Sequence, residues 1–192
     1  MAIKMDYYYN QIGSEFTPFL NMANVINGEE DFVGCFIMTV NDKYVINDYE
    51  KYPENKVYTN SDWITWLGIQ FMQSLIAFKN NPNAYCYIHF LEYNGGKGLE
   101  IRLQCNKVCI SNVKSGIEWY SFDKKKENLY YYWECEEVPL IEYEQEIQSY
   151  CKKIFEEYSQ FGLPIKDSLY SEFYMCYKKI FGIVLRRKKS SG

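Results

Sequence analysis

Between Tyr85 and Cys135 the chain reverses direction again and again, and this stretch limits the possible folds more than any other. Leu99, Ile101, Leu103 and Cys105 alternate with Glu100, Arg102 and Gln104, a period of two that puts one face of a strand on a core and the other in water. Turn residues punctuate the run: Asn94-Gly95-Gly96-Lys97-Gly98, Asn106-Lys107 and Lys114-Ser115-Gly116. The expected product is an antiparallel meander with strands at 85–93, 99–105, 108–113, 117–122 and 129–135. Charged Asp123-Lys124-Lys125-Lys126-Glu127 forms the last loop.

Helical spacing frames the meander. Trp63, Leu67, Phe71, Leu75 and Phe78 form one stripe, with Trp66 and Ile64 beside it, which predicts a helix from Ser61 to Lys79. Ser61 or Asp62 would cap it, and Asn80-Asn81-Pro82-Asn83 would end it. Ile147, Cys151, Ile154, Phe155 and Tyr158 predict a helix from Leu140 to about Phe161, broken by Gly162-Leu163-Pro164. Leu169, Phe173, Cys176 and Ile180 predict another from Asp167 or Ser168 to Phe181. Upstream, Phe16, Phe19, Leu20, Ala23 and Ile26 suggest a short helix over Ser14–Gly28. A strand over Asp31–Val40, a turn at Asn41-Asp42, a return at Lys43–Ile46 and a loop over 47–60 complete the reading. Helices grouped around a run of hairpins indicate an α+β fold, an antiparallel meander packed by helices with a C-terminal αα-hairpin. The 192 residues fit one domain, taken as 1–185, with Arg186-Arg187-Lys188-Lys189 opening a basic tail over 186–192.

The start, MAIKMDYYYN, lacks the basic and apolar regions of a signal peptide, and no apolar run is long enough for a membrane span. The seven cysteines are an odd number and sit mostly in apolar patterns, so they read as free buried thiols of a cytoplasmic protein. A net charge of −4 argues against a general nucleic-acid binder.

No catalytic or metal-binding set emerges, and no cofactor is expected. His89 is the one histidine. Cys86 and His89 stand three apart in a strand and so face opposite sides. Cys105 and Cys109 flank a tight turn without further ligands. The glycine-rich loop joins strand to strand and lacks the phosphate-loop pattern. Glu100 with Glu118 is a conceivable acid/base pair, both on the solvated face.

Charge placement is the least random feature. Seven Glu and no Lys or Arg lie between Glu127 and Cys151. Tyr130, Tyr131, Tyr132, Trp133 and Tyr143 are interleaved with them. A helix start accounts for Glu142, Glu144 and Glu146, because acids favour helix N-termini. It accounts less well for Glu134, Glu136 and Glu137. The other reading is a binding face made of Tyr131, Trp133, Glu134, Glu136, Glu137, Glu142, Tyr143, Glu144 and Glu146. The 20 Tyr, 12 Phe and 4 Trp fit either an AT-rich gene or an interface.

An acidic, tyrosine-rich α+β chain without an active-site motif resembles the immunity proteins of bacterial polymorphic-toxin and contact-dependent inhibition systems. The resemblance extends loosely over the whole chain and carries no residue roles. It implies direct binding of a cognate protein toxin, for instance a nuclease, with a basic surface. The alternatives are a mobile-element protein that blocks a host factor, and an enzyme that works through carboxylates.

Overall fold

The computed structural model describes residues 2–8, 33–45, 61–90, 97–114, 125, 128–160 and 168–182. The architecture is α+β: among the described residues, two antiparallel sheets and three helices surround one continuous core.

Ile3–Tyr8 forms β1, a strand not anticipated above, and Val33–Val40 forms β2. Their register places Ile3 opposite Val40, Met5 opposite Met38 and Tyr7 opposite Phe36. All six side chains are buried, so this ladder forms one wall of the core. Asn41 and Asp42 have φ of 47° and 64°, the left-handed pair of a two-residue hairpin. The return, Lys43–Tyr44 (β3), is shorter than the expected 43–46.

Ser61–Trp63 forms β4, not the first turn of a helix. It pairs with Val33–Cys35 on β2, and the backbone bonds gained there take the place of helix capping. Helix α1 therefore begins after it, Ile64–Asn80. Its buried residues run all round the cylinder, the mark of a helix inside a core. Gly68 is where the other helices meet it: a Cβ there would lie 3.0 Å from Phe173 Cε2 and 3.4 Å from Ile154 Cδ1.

The second sheet is an antiparallel meander of four strands in chain order, Tyr85–His89 (β5), Lys97–Gln104 (β6), Lys107–Lys114 (β7) and Tyr130–Pro139 (β8). At Gly98 a Cβ would fall 2.3 Å from the Ile88 carbonyl oxygen, so glycine permits the close β5–β6 approach. β7 pairs directly with β8, whereas the sequence pattern predicts a strand at 117–122 between them. The strand expected at 117–122 lies outside the described residues, as do the helix expected at 14–28, the loop 47–60, Glu118 and the tail 186–192.

β8 continues to Pro139, and helix α2, Leu140–Gln160, follows directly. Helix α3 is Ser168–Phe181, and Gly182 ends it at φ 65° with its N–H on the Lys178 carbonyl. The expected boundaries of both helices agree closely with these.

Side chains close two sheet edges. Across β1, Glu146 Oε1 of α2 accepts the Met5 N–H at 2.6 Å, and Glu142 Oε2 accepts the Ala2 N–H at 2.9 Å. Lys153 Nζ donates to the Tyr7 carbonyl at 3.1 Å and to Asp6 Oδ1 at 2.7 Å. Across β5, the Gln70 amide pairs with the backbone of His89, donating to its carbonyl at 3.1 Å and accepting its N–H at 2.9 Å. An uncovered edge is a template for unwanted pairing, and these contacts occupy it.

The cysteines depart from the expectation of free thiols. Cys109 and Cys135 are joined in a disulfide, their Cα atoms 4.8 Å apart. They lie on adjacent strands, a proximity set by sheet register, which sequence spacing does not reveal. Cys86 and Cys151 are free and buried, Cys176 is half-buried, and Cys105 is exposed on the β6–β7 turn. Burial pushes the Cys86 thiol up to about 12, so it stays protonated and inert.

Replacing Glu146 by Ala leaves the Met5 N–H buried without an acceptor and should cost about 2 kcal/mol in urea unfolding. Glu146→Gln keeps an acceptor and should cost much less. Gly68→Val forces α1 away from α3 and should lower stability by roughly 1–3 kcal/mol in the same measurement.

Candidate functional site

The β7–β8 ladder is irregular, and the irregularity builds a cleft. From Ile110↔Glu136 to Asn112↔Trp133, β7 advances two residues while β8 uses three. From Asn112↔Trp133 to Val113↔Tyr131, one residue of β7 faces two of β8. β8 thus carries two successive bulges, each of which re-aims side chains and tightens the local twist. Cys135, at the first, has φ 46° and donates its N–H to Ser111 Oγ at 2.9 Å. Tyr132 is the extra residue of the second.

Beside these bulges the β2–β3 hairpin meets the second sheet and encloses a cavity of about 580 Å³. One wall is Asp42, Lys43, Tyr44 and Val45. The other is Lys97, Asn112, Tyr132 and Trp133. Trp133 Nε1 donates to the Tyr44 carbonyl at 3.3 Å, and Asn112 Nδ2 donates to the Val45 carbonyl at 2.6 Å. Asn112 is 5% exposed, and among the described residues its Oδ1 has no hydrogen-bond donor. Tyr130 packs edge-on against Tyr132, 5.3 Å between centroids, and Lys97 Nζ sits 5.7 Å from the centre of the Tyr132 ring. Tyr44, Tyr130 and Tyr132 are 40%, 64% and 43% exposed.

The nine residues proposed from sequence separate into distinct environments. Tyr143 is fully buried, its hydroxyl 2.8 Å from Ser74 Oγ, and burial pushes its pKa up. Glu142 and Glu146 serve the β1 edge. Glu137 pairs with Lys107 and Glu136 with Lys43, and Asn41 Nδ2 donates to Glu136 Oε2 and to the Glu137 carbonyl. Tyr131 turns to the far face of the sheet, where it and Tyr87 donate to the Glu100 carboxylate. Glu134 is exposed and Glu144 half-buried. Only Trp133 of the nine lines the cleft. Tyr44, Lys97, Asn112 and Tyr132 were not singled out as binding residues, because the bulges and the approach of the two sheets have no local sequence signal.

Glu100 was expected on a wet face, yet it is 5% exposed. Tyr87 OH donates to it at 2.9 Å and Tyr131 OH at 3.3 Å, so the outer face of β6 carries a buried polar cluster. Burial, then the adjoining Glu100 carboxylate, pushes the Tyr131 hydroxyl up to about 12, which keeps it a donor. Cys86 faces the core opposite Ile101, whereas His89 lies opposite Gly98, so the two point to different sides as expected. Among the described residues no group of three or more His, Cys, Asp or Glu converges in a way that suits a metal ion. No described helix is long and apolar enough to cross a membrane.

Comparison with protein-family models, characterised proteins and solved structures gives no match.

The Glu136–Lys43 contact is one of the ties that hold the hairpin to β8. Hydrogen bonds from Lys43 and Asn41 hold the Glu136 carboxyl below its ordinary pKa. A depressed folded-state pKa gives stability that is complete above the unfolded carboxyl's pKa and is lost as pH falls through the folded value. Acid titration should therefore free the hairpin, read as sharpened exchange at the Lys43 and Tyr44 amides below about pH 4.5. Glu136→Gln should remove this acid step.

Proposed function

We propose that this protein is a partner-binding inhibitor of the toxin-neutralising kind its sequence resembles, and that it docks through the cleft between β3 and β8. The observation that carries this reading is the clustering of exposed rings. Of the five large hydrophobic side chains exposed among the described residues, Tyr44 and Tyr132 line this cavity and Tyr130 packs edge-on against Tyr132. Tyr and Trp supply large, stiff contact area at low entropic cost and dominate binding energy at protein interfaces.

The acidic run contributes less to this face than its composition suggests. Four of its carboxylates have partners within the chain, at Lys43, Lys107, Ala2 and Met5. Attraction toward a basic toxin then comes from the chain's net charge of −4 and from Glu134. On this reading the protein acts in the cytoplasm, where its toxin would strike.

Co-expression with the product of the adjacent open reading frame should restore growth to cells that the neighbour alone arrests. Tyr132→Ala and Trp133→Ala should each weaken the complex about 30-fold, as hot-spot truncations near 2 kcal/mol do. Tyr132→Ala should leave the melting temperature unchanged. A harmless neighbour, or full protection by both variants, would sink the proposal.

A further inference from the structure

The cleft depends on the β8 bulges, and a covalent bond holds one of them. Cys109 of β7 and Cys135 of β8 are bonded where the first bulge interrupts the ladder. Their surroundings differ. Cys109 is 1% exposed, whereas Cys135 is half-buried. Arg102 Nη2 lies 3.9 Å from Cys135 Sγ, and Ser111 Oγ holds the Cys135 N–H. Cys135 also keeps φ at 46°, a conformation that costs a non-glycine residue about 1 kcal/mol or more and persists only under restraint. Two residues before it, Trp133 reaches across to the Tyr44 carbonyl.

We infer that Cys109–Cys135 is a reversible thiol–disulfide site whose redox state sets the shape of the cleft. The co-reactant is a soluble dithiol. Its thiolate attacks Cys135 Sγ, the more accessible sulfur. The Sγ–Sγ bond breaks, and the electron pair leaves on Cys109 Sγ, which takes up a proton. The second thiolate of the reductant then attacks its own sulfur in the mixed disulfide, forming the cyclic reductant disulfide. Cys135 departs as a thiolate beside the Arg102 guanidinium, a neighbour that favours the anion. The dithiol loses two electrons, and the protein bond becomes the Cys109 thiol and the Cys135 thiolate. Reoxidation runs the same path backwards, with the Arg102-stabilised Cys135 thiolate as nucleophile.

The bond joins strands that the sheet already pairs, so its loss leaves the fold standing and releases the bulge. Cys135 then relaxes toward negative φ, and the segment Tyr130–Cys135 loses the restraint that fixes Tyr132 and Trp133. The oxidised form is the preorganised binding face. That last consequence rests on the docking reading above, but the structural change does not, and the test below needs no partner.

The protein is purified without reductant, denatured, alkylated and weighed, with and without prior dithiol. Two additional cysteines, Cys109 and Cys135 by peptide mapping, should alkylate after dithiol. Hydrogen exchange of the native protein should then show the amides of Tyr131–Cys135 and Tyr44 exchanging about tenfold faster once reduced, with α1 unchanged. Cys135→Ser should exchange at the fast rate in both conditions. Alkylation of both cysteines without dithiol after exposure to an oxidised dithiol, or equal β8 exchange in the two states, would overturn the assignment. So would a rise in exchange spread equally over α1, which would make the bond a general staple of the fold.

Discussion

The bond from the Met5 N–H to Glu146 ties together β1 and α2, 141 residues apart in sequence. It puts a carboxylate where the next strand of the first sheet would otherwise lie. A charge with only 8% exposure is costly to bury unless it is hydrogen-bonded, so this contact strongly restrains how α2 lies along β1. Because α2 follows β8 without a loop, its placement also fixes how the second sheet sits against the first. Glu142 and Lys153 extend the same contact along the strand. Gln70 does the equivalent at β5 with a neutral amide that both donates and accepts, as a neighbouring strand would. Helix side chains in place of further strands leave these edges poor templates for aggregation.

The same constraint explains the acidic stretch. A carboxylate that accepts a buried backbone N–H is not available to a partner, so Glu142 and Glu146 belong to the fold. Glu136 and Glu137 clamp the hairpin and the β6–β7 turn to β8. On the docking proposal, what remains for recognition is the set of rings that the bulges turn outward. Acidic composition and exposed aromatic surface were adjacent in sequence, and the structure gives them different tasks.

Elements with strong periodicity were readable from the sequence. The β6 alternation and the apolar stripes of the three helices each report local geometry, and the helix starts at Leu140 and Ser168 agree with them. Short pairings were not readable. β1 alternates Ile3, Met5 and Tyr7 with polar residues, yet its existence depends on β2, and β4 overrode a plausible cap because β2 had a vacant edge. Glu100 looked solvated because alternation reports which face a side chain takes, while its burial depends on what lies over that face. The bulges were invisible for a related reason. Tyr130 to Cys135 has the composition of an ordinary strand, and only the partner's register shows that two residues are extra. The cleft inherits that opacity, since its two walls come from different sheets.

The tyrosine excess can be judged by position. Inside, Tyr143 and Tyr150 fill the core and pair their hydroxyls with Ser74 and the Ile64 carbonyl. Phenylalanine would supply most of that packing, so these positions need a large ring more than they need a phenol. On the surface, Tyr44 and Tyr132 expose rings on a cavity that Lys97 also lines, and Tyr130 packs against Tyr132. A gene with AT-rich codons scatters tyrosine without regard to site. It does not account for Tyr44 and Tyr132 meeting at a seam between two sheets, with Tyr130 packed against Tyr132 at the bulge. Bulges weaken the ladder by leaving backbone groups unpaired. A fold that closes the edge of β1 with buried carboxylates, yet keeps two interruptions in β8, has its irregularity concentrated at the face it offers outward.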